Sequence, residues 1–273
     1  MQRKRVTQIF PFLLPFRRWQ RKQCFYLKMH FDGRNYAEKR IDTKLPYPVF
    51  ETSSLMINEN SGYDIKYQQN KVHNLKLAAA AFDGLVIRPG ETFSFWKLAR
   101  YADKKEPYKD GLVLIDGKIV GEYGGGLCQI STMLYWMFLH TPLTVVERHG
   151  HQKESLPPTA DEPCGTDATI NEGWLDLKVQ NRTSDLFQIR ISFDSEYMYG
   201  YIFSDKEPLC EYRIYNKSVS YFREKGNVFQ KASVDCLKTD KEGRKCRDIH
   251  LYDVVHEVDY ELPKDINIIN KGD

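Results

Sequence analysis

The chain has 273 residues, 41% of them hydrophobic and 13% aromatic, which excludes a disordered chain and leaves room for one large core or two modest ones. Its net charge of +3 hides an asymmetry: eight of the 40 basic residues (Arg3, Lys4, Arg5, Arg17, Arg18, Arg21, Lys22, Lys28) lie in residues 1–28 with no acid, leaving 32 against 37 acidic residues in the rest. A slightly acidic body argues against a nucleic-acid protein, and six cysteines without a C-x-x-C pair read as reduced thiols rather than a disulfide framework.

In chain order, residues 1–28 form a basic arm with aromatics (Phe16, Trp19, Phe25, Tyr26) set among the cations. Its apolar run, Ile9 to Phe16, is eight residues with two prolines, too short for a membrane span and without a small-residue cleavage site. The expectation is therefore a cytoplasmic protein, with the arm either packed on the body or touching the anionic inner membrane surface. Residues 29–73 show no clear period and read as irregular with short strands. Asn74 to Phe82 reads as a helix behind an asparagine cap and ending at Gly84. Thr92 to Phe95 is extended, and the runs around Asp116-Gly117 predict a hairpin.

The hairpin feeds into Tyr123-Gly124-Gly125-Gly126-Leu127-Cys128-Gln129-Ile130-Ser131-Thr132. Apolar residues Ile130, Met133, Leu134, Met137 and Phe138 recur at helical spacing up to Thr141-Pro142. Cys128 then sits in the first turn of a helix, where exposed N–H groups and the helix dipole favour a thiolate. A strand, Leu143 to Val146, leads to Glu147-Arg148-His149-Gly150-His151. Residues 152–166 read as a loop, and Thr166–Ile170, Leu175–Val179 and Phe187–Phe193 as strands. In the second of these Asp176 alternates onto the solvent face. From Tyr197 to about Tyr260 the pattern stays strand-like, with turns near Asp205, Gly226 and Gly243. Cys236 and Cys246 flank the last turn and are expected to face each other, and the tail from Leu262 is expected to be poorly ordered.

The predicted fold class is α+β: a cysteine-bearing helix on a mostly antiparallel sheet, papain- or transglutaminase-like in arrangement, with a β-rich last third. The expected division is an arm over 1–28, an α+β domain over 29–195 and a β-rich extension over 196–273.

Three readings of the site compete. In the first, Cys128 is a nucleophile toward an acyl carbon, His151 or His149 the base and Asp167 the group that orients the imidazole. The backbone N–H groups of Gly126 to Gln129, or the Gln129 amide, then form an oxyanion hole. In the second, His149 and His151 point the same way on a strand and hold a metal with Cys128, Cys164 or Asp167. In the third, the glycine run and Arg148 bind an anion without catalysis. A purely structural reading, with a buried thiol and capped histidines, stands beside them. Ser131, Thr132 and Tyr135 share the Cys128 face of the helix, and Trp96, Trp136 and Trp174 read as core or pocket wall.

The segments Arg88-Pro89-Gly90-Glu91-Thr92-Phe93-Ser94-Phe95, Gly124 to Ser131, Glu147 to His151 and Thr166-Asp167-Ala168-Thr169 resemble the VanW family in order and spacing, over roughly residues 70–195. The resemblance implies an accessory role in glycopeptide resistance, linked to cell-wall precursors, with peptidoglycan precursors or resistance-cluster proteins as partners and no cofactor. It also favours His151 over His149 as the partner of Cys128. It leaves open whether the chain is an enzyme, a cysteine hydrolase or acyltransferase being the enzymatic option. Many relatives carry a membrane segment and wall-binding domains that are not legible in this sequence.

Overall fold

The computed structural model describes residues 10–58, 62–115, 118–154, 162–263 and 266–270. A 3-10 turn, Pro11–Leu13, leads into helix α1 (Leu14–Phe31), which carries proline in its first turn, where a missing N–H breaks no helical bond. Its second half docks through Tyr26 and Met29, both buried.

The stretch expected to be irregular holds a nine-residue strand, Tyr47–Leu55, and helix α2 (Ile65–Ala79). Asp64 caps α2 by accepting the Lys66 N–H at 2.9 Å, so the helix starts upstream of the expected asparagine cap. Its first half is mostly polar and shows little apolar period. Asn74 is instead a fully buried connector inside the helix. Its Nδ2 donates to the carbonyls of Lys109 (2.8 Å) and Gly125 (2.9 Å), and its Oδ1 accepts the Lys109 N–H at 2.8 Å. It thereby ties α2 to the glycine run.

The strands form three larger sheets and a hairpin, mostly antiparallel. The first sheet orders Asn35–Tyr36, Glu91–Ser94, Lys178–Gln180 and Thr144–Glu147; the second orders Tyr47–Leu55, Tyr197–Ser204, Phe187–Phe193 and Val86–Ile87. The strand Tyr197–Ser204 therefore packs with the body that precedes it. The third sheet joins the long strands Cys210–Glu224, Asn227–Asp240 and Lys245–Val258 to Ile268–Asn270 on one side and Lys153–Glu154 on the other. Of the tail expected to be loose, Ile268–Asn270 pairs in parallel with Tyr221–Arg223. The hairpin Asp110–Ile115 with Lys118–Tyr123 forms as expected, its turn residues 116–117 lying outside the described residues.

Short helix α3 (Phe95–Ala99) and helix α4 (Cys128–Leu139) complete the fold. The apolar face of α4 is sunk in the core: Ile130, Met133, Leu134, Met137 and Phe138 are all buried, packed with Phe82, Phe93, Leu177, Val179 and Met198. Ile214, Val234 and Cys236 extend the same core into the third sheet. Three expectations fail here. Thr166–Ile170 joins no sheet ladder, because α4 side chains take its backbone groups instead. Cys236 pairs in register with Ile249, not with Cys246, because the hairpin closes with Thr239 opposite Lys245 and a bulge at Lys238/Thr239 adds one more residue of offset, and both thiols are free. Trp174 is 61% exposed rather than core, whereas Trp96 is buried.

Candidate active site

Glycine fixes the approach to α4. Gly124 and Gly126 adopt φ values of 71° and 91°, a region that side chains disfavour. Gly125 lies against Gly111 so closely that a Cβ on either would strike the other's backbone, which lets the hairpin pass directly over the helix start. Cys128 then occupies the first position of α4. The helix has no side-chain cap there, and among the described residues the N–H groups of Leu127 and Cys128 donate to no other backbone carbonyl. The run thus offers free donors beside the sulfur, while the Gly124 and Gly125 N–H groups are spent on Lys109 and Glu122 and that of Gln129 on Gly126.

His151 is brought to Cys128 from the far side of the cleft. The Cys128 thiol and the His151 ring line the same cleft and interact electrostatically, and the sulfur lies 3.6 Å from the Thr169 hydroxyl. His151 Nδ1 sits 2.5 Å from Asp167 Oδ2, the same oxygen that accepts the His151 backbone N–H at 2.7 Å. The ring nitrogen opposite is thereby left for the sulfur. Burial raises the thiol pKa, but the hydrogen bond and charge of His151, the Ile170 backbone and Thr169 outweigh it and hold the thiol below its ordinary value. Burial works against the imidazolium, but Asp167 and Cys128 push the His151 pKa up to about 10. Burial also disfavours the Asp167 carboxylate, yet His151 and Arg148 keep it below the usual range. All three shifts favour a thiolate–imidazolium pair.

Arg148 locks that carboxylate rather than facing a ligand. It donates to Asp167 Oδ1 (2.8 Å), to the Asp167 carbonyl (2.6 Å) and to the Gly165 carbonyl (2.7 Å). Its guanidinium lies against Tyr135 and Tyr252, 5.3 and 4.9 Å from the ring centroids. The two phenols join at 2.9 Å, and Tyr252 donates to Gly165 as well. These contacts use Nε and Nη2 of Arg148, the residue expected to bind an anion, and hold them against Asp167 and Gly165. Gly150 is small for the same reason: a Cβ there would press on both Arg148 and Asp167, within 3.1 and 3.2 Å.

Other expected residues prove to be anchors. Ser131 donates to the Ala168 carbonyl at 2.5 Å and Thr132 accepts the Ala168 N–H at 3.0 Å, which pins Asp167 and Thr169 across α4. The Gln129 amide donates to Ser54 Oγ (2.8 Å) and the Leu55 carbonyl (2.7 Å), so it braces the helix start on the edge strand rather than awaiting an oxyanion. His149 is not at the thiol: its Nε2 lies 3.2 Å from Glu147 Oε1, in a separate cluster in which Glu147 meets Lys178 at 2.8 Å. The two histidines therefore do not converge, and among the described residues no three His, Cys, Asp or Glu side chains gather as a metal site.

Asp176 corrects the expectation of a solvated residue. It is fully buried, accepts from Ser94 Oγ (2.6 Å) and the Trp96 N–H (3.1 Å), and burial pushes its pKa up to about 6. The alternation of Leu175 to Val179 misplaces it, because the strand begins only at Lys178.

The thiol and imidazole open onto a cleft of about 260 Å³, walled by Thr52, Ser53 and Ser54 of the edge strand and by Thr132, Trp136 and Thr166. Tyr252 and the edge strand were beyond sequence reasoning, since nothing in their local pattern marks them, and Thr169 figured only as the end of the motif Thr166 to Thr169. Lys71 was also missed. Its aliphatic stem covers Gly126, and burial lowers its pKa to about 8.

The molecule is an α+β protein in which a thiol at a helix start and a histidine backed by a carboxylate line one cleft. The particular family follows from sequence: the model for VanW like protein matches residues 70–203, and the chain belongs to the VanW family. It is 49% identical to the vancomycin B-type resistance protein VanW of Enterococcus faecalis (strain ATCC 700802 / V583) over 270 residues, 98% of each chain. It is 28% identical over 177 residues to the uncharacterized protein YoaR of Bacillus subtilis (strain 168), covering 62% of this chain and 57% of that one. No solved structure matches the chain.

Proposed function

We propose that this chain serves vancomycin resistance as a cysteine-nucleophile hydrolase or acyltransferase acting on an amide or ester of a cell-wall-precursor-like peptide. The observation that carries the reading is the set Cys128, His151, Asp167 and Arg148, with the thiol and imidazole lining one cleft and the carboxylate held on the imidazole. The Cys128 thiolate adds to the acyl carbon, and the N–H groups of Leu127 and Cys128 face the oxyanion. The imidazolium of His151 then passes its proton to the departing amine or alkoxide, leaving a thioester on Cys128. Water or an acceptor amine next attacks that thioester, His151 taking its proton, and the thiolate is released. Asp167 and Arg148 touch no reacting atom and act by positioning the imidazole. The order Cys, His, Asp, with the cysteine on a helix start, is that of papain- and transglutaminase-like enzymes, an analogy of arrangement. The resistance context comes from the relative in Enterococcus faecalis. Placement in the cytoplasm belongs to the same proposal and is tested by fractionating cells that express the chain.

The test is the rate of Cys128 alkylation by iodoacetamide against pH, on metal-free protein with the other five cysteines replaced. A thiol titrating below the free value of about 8.5, with that depression lost in His151→Ala, supports a paired nucleophile. Incubation with peptide and depsipeptide precursors should then leave an acyl adduct on Cys128 detectable by mass. A thiol equally inert in both proteins sinks the reading, and precursor binding without an adduct would favour a recognition module built on the same helix start.

A further inference from the structure

Helix α1 carries a surface that lines no part of the Cys128 cleft. Successive helical residues advance by about 100°. Trp19, Phe16, Leu27 and Phe31 then fall within one arc of about 120°, while Arg17, Lys28, Arg21, Arg18 and Lys22 follow one another around the rest of the helix. Of the residues that dock α1 on the body, Phe25 and Met29 lie across the axis from the apolar arc and Tyr26 lies at its edge, beside Trp19. That docking is firm: Tyr26 donates to Glu172 at 2.6 Å, Lys22 meets the same carboxylate at 2.7 Å, and the Arg100 guanidinium lies 3.9 Å from the Tyr26 ring centroid.

The apolar arc has no cover. Phe12, Phe16, Trp19, Leu27 and Phe31 are between 58 and 76% exposed, and residues 14 to 21 of the helix are exposed on every side. Phe16 and Trp19 stack on each other at 5.9 Å, which forms a ridge rather than scattered side chains. A second exposed tryptophan, Trp174, stands beside the helix with Arg21 5.7 Å from its ring centroid. Arg17, Arg18, Arg21 and Lys28 form no ion pair with a carboxylate among the described residues, Arg17 bonding only the Gln20 amide. Residues 1–28 contain eight cations and no acid.

We infer that α1 and Trp174 form a docking surface for an anionic phospholipid membrane, the helix lying in the plane of the headgroups. An exposed ridge of this size on a charged helix needs an apolar phase to enter. Tryptophan and phenylalanine bordered by arginine and lysine suit the interface, where rings sit among the upper acyl chains and guanidinium groups reach lipid phosphates. An unbroken positive sign over the whole segment complements an anionic lipid surface. Tyr26 and Lys22, bound to Glu172, would hold the body at a fixed height above that surface. This inference is independent of any chemistry at Cys128.

The experiment is co-sedimentation of the full chain with vesicles of phosphatidylcholine containing phosphatidylglycerol, and with vesicles of phosphatidylcholine alone. Binding to the first and not the second, weakened by added salt, is expected. Each cation near an anionic surface strengthens binding roughly fivefold. The variant Arg17→Gln/Arg18→Gln/Arg21→Gln should therefore lose about a hundredfold in partitioning. Phe16→Ser/Trp19→Ser should lose at least about tenfold, with an unchanged melting temperature because these side chains support no core. Brominated lipids should quench tryptophan emission in the wild-type chain, and less in Trp19→Phe. Absence of sedimentation with the anionic vesicles at low salt, or binding that both sets of substitutions leave intact, would overturn the inference. The former would leave a partner protein as the cover for the ridge.

Discussion

His149 and His151 share one short motif and differ in everything their surroundings make of them. His151 stands between a carboxylate locked by Arg148 and a thiol that opens to the cleft. His149 rests on Glu147, which Lys178 already neutralises, and among the described residues its ring bonds no thiol or hydroxyl. On a continuous strand both rings would point the same way. The strand ends at Glu147, however, and the chain then turns through Gly150, while Thr169 takes the His149 carbonyl at 2.8 Å and Asp167 takes the His151 N–H. The pattern is therefore two carboxylate–histidine pairs, not one two-histidine site. What makes a histidine chemical here is what its second nitrogen faces.

That comparison can be broken or sharpened by substitution. The largest effect is expected from Arg148→Ala, which removes one of the two partners of the half-buried Asp167 carboxylate and the donor to the Gly165 carbonyl, and should cost about 3 kcal/mol in chemical denaturation. A loss below 1 kcal/mol would mean that the clamp is not needed. His151→Ala should lower Cys128 alkylation near neutral pH by at least about tenfold, and His149→Gln should change it less than about twofold. Equal effects of the two variants would erase the distinction between the histidines.

Asp176→Asn probes the second cluster through pH. The folded-state pKa of Asp176, about 6, lies above its ordinary 3.8, so the folded protein binds more protons between those values and loses stability as pH rises through them. The asparagine variant should lack that fall of about 2–3 kcal/mol, measured by urea unfolding at pH steps across the window. An identical slope in both proteins would count against a neutral buried carboxyl. The smallest effect is expected from Tyr252→Phe, which removes the hydroxyl bonded to Tyr135 and Gly165 and should cost about 1 kcal/mol, with alkylation of Cys128 little changed.

Much of the site was legible because it depends on local signals. The apolar period of α4 fixed its length to within a residue at each end, and the glycine run ahead of it placed Cys128 in its first turn. The α+β class and the β-rich last third followed from period-two runs such as Phe187–Phe193, which became a strand over the same residues. Where the pattern was weak, reading failed for identifiable reasons. Helix α2 was cut short because its first half is polar, and Asn74 was taken for a cap when it is a buried bridge to Lys109 and Gly125. Asp176 was assigned to solvent because alternation was extended past the true start of the strand, although it makes buried bonds to α3 and the residue before it.

The sequence by itself determined the candidate groups and the local geometry around the thiol: glycine-permitted φ angles, a free helix start, and a histidine with a carboxylate downstream. Tertiary structure alone decided their assignments, because each depends on partners far along the chain. Arg148 became a clamp through Gly165 and through Tyr252, which only the pairing of Lys245–Val258 in the third sheet brings near. Gln129 became a brace through Ser54 and Leu55. A donor group has a fixed number of hydrogens, and which ones remain for a ligand is known only when every buried partner is in place.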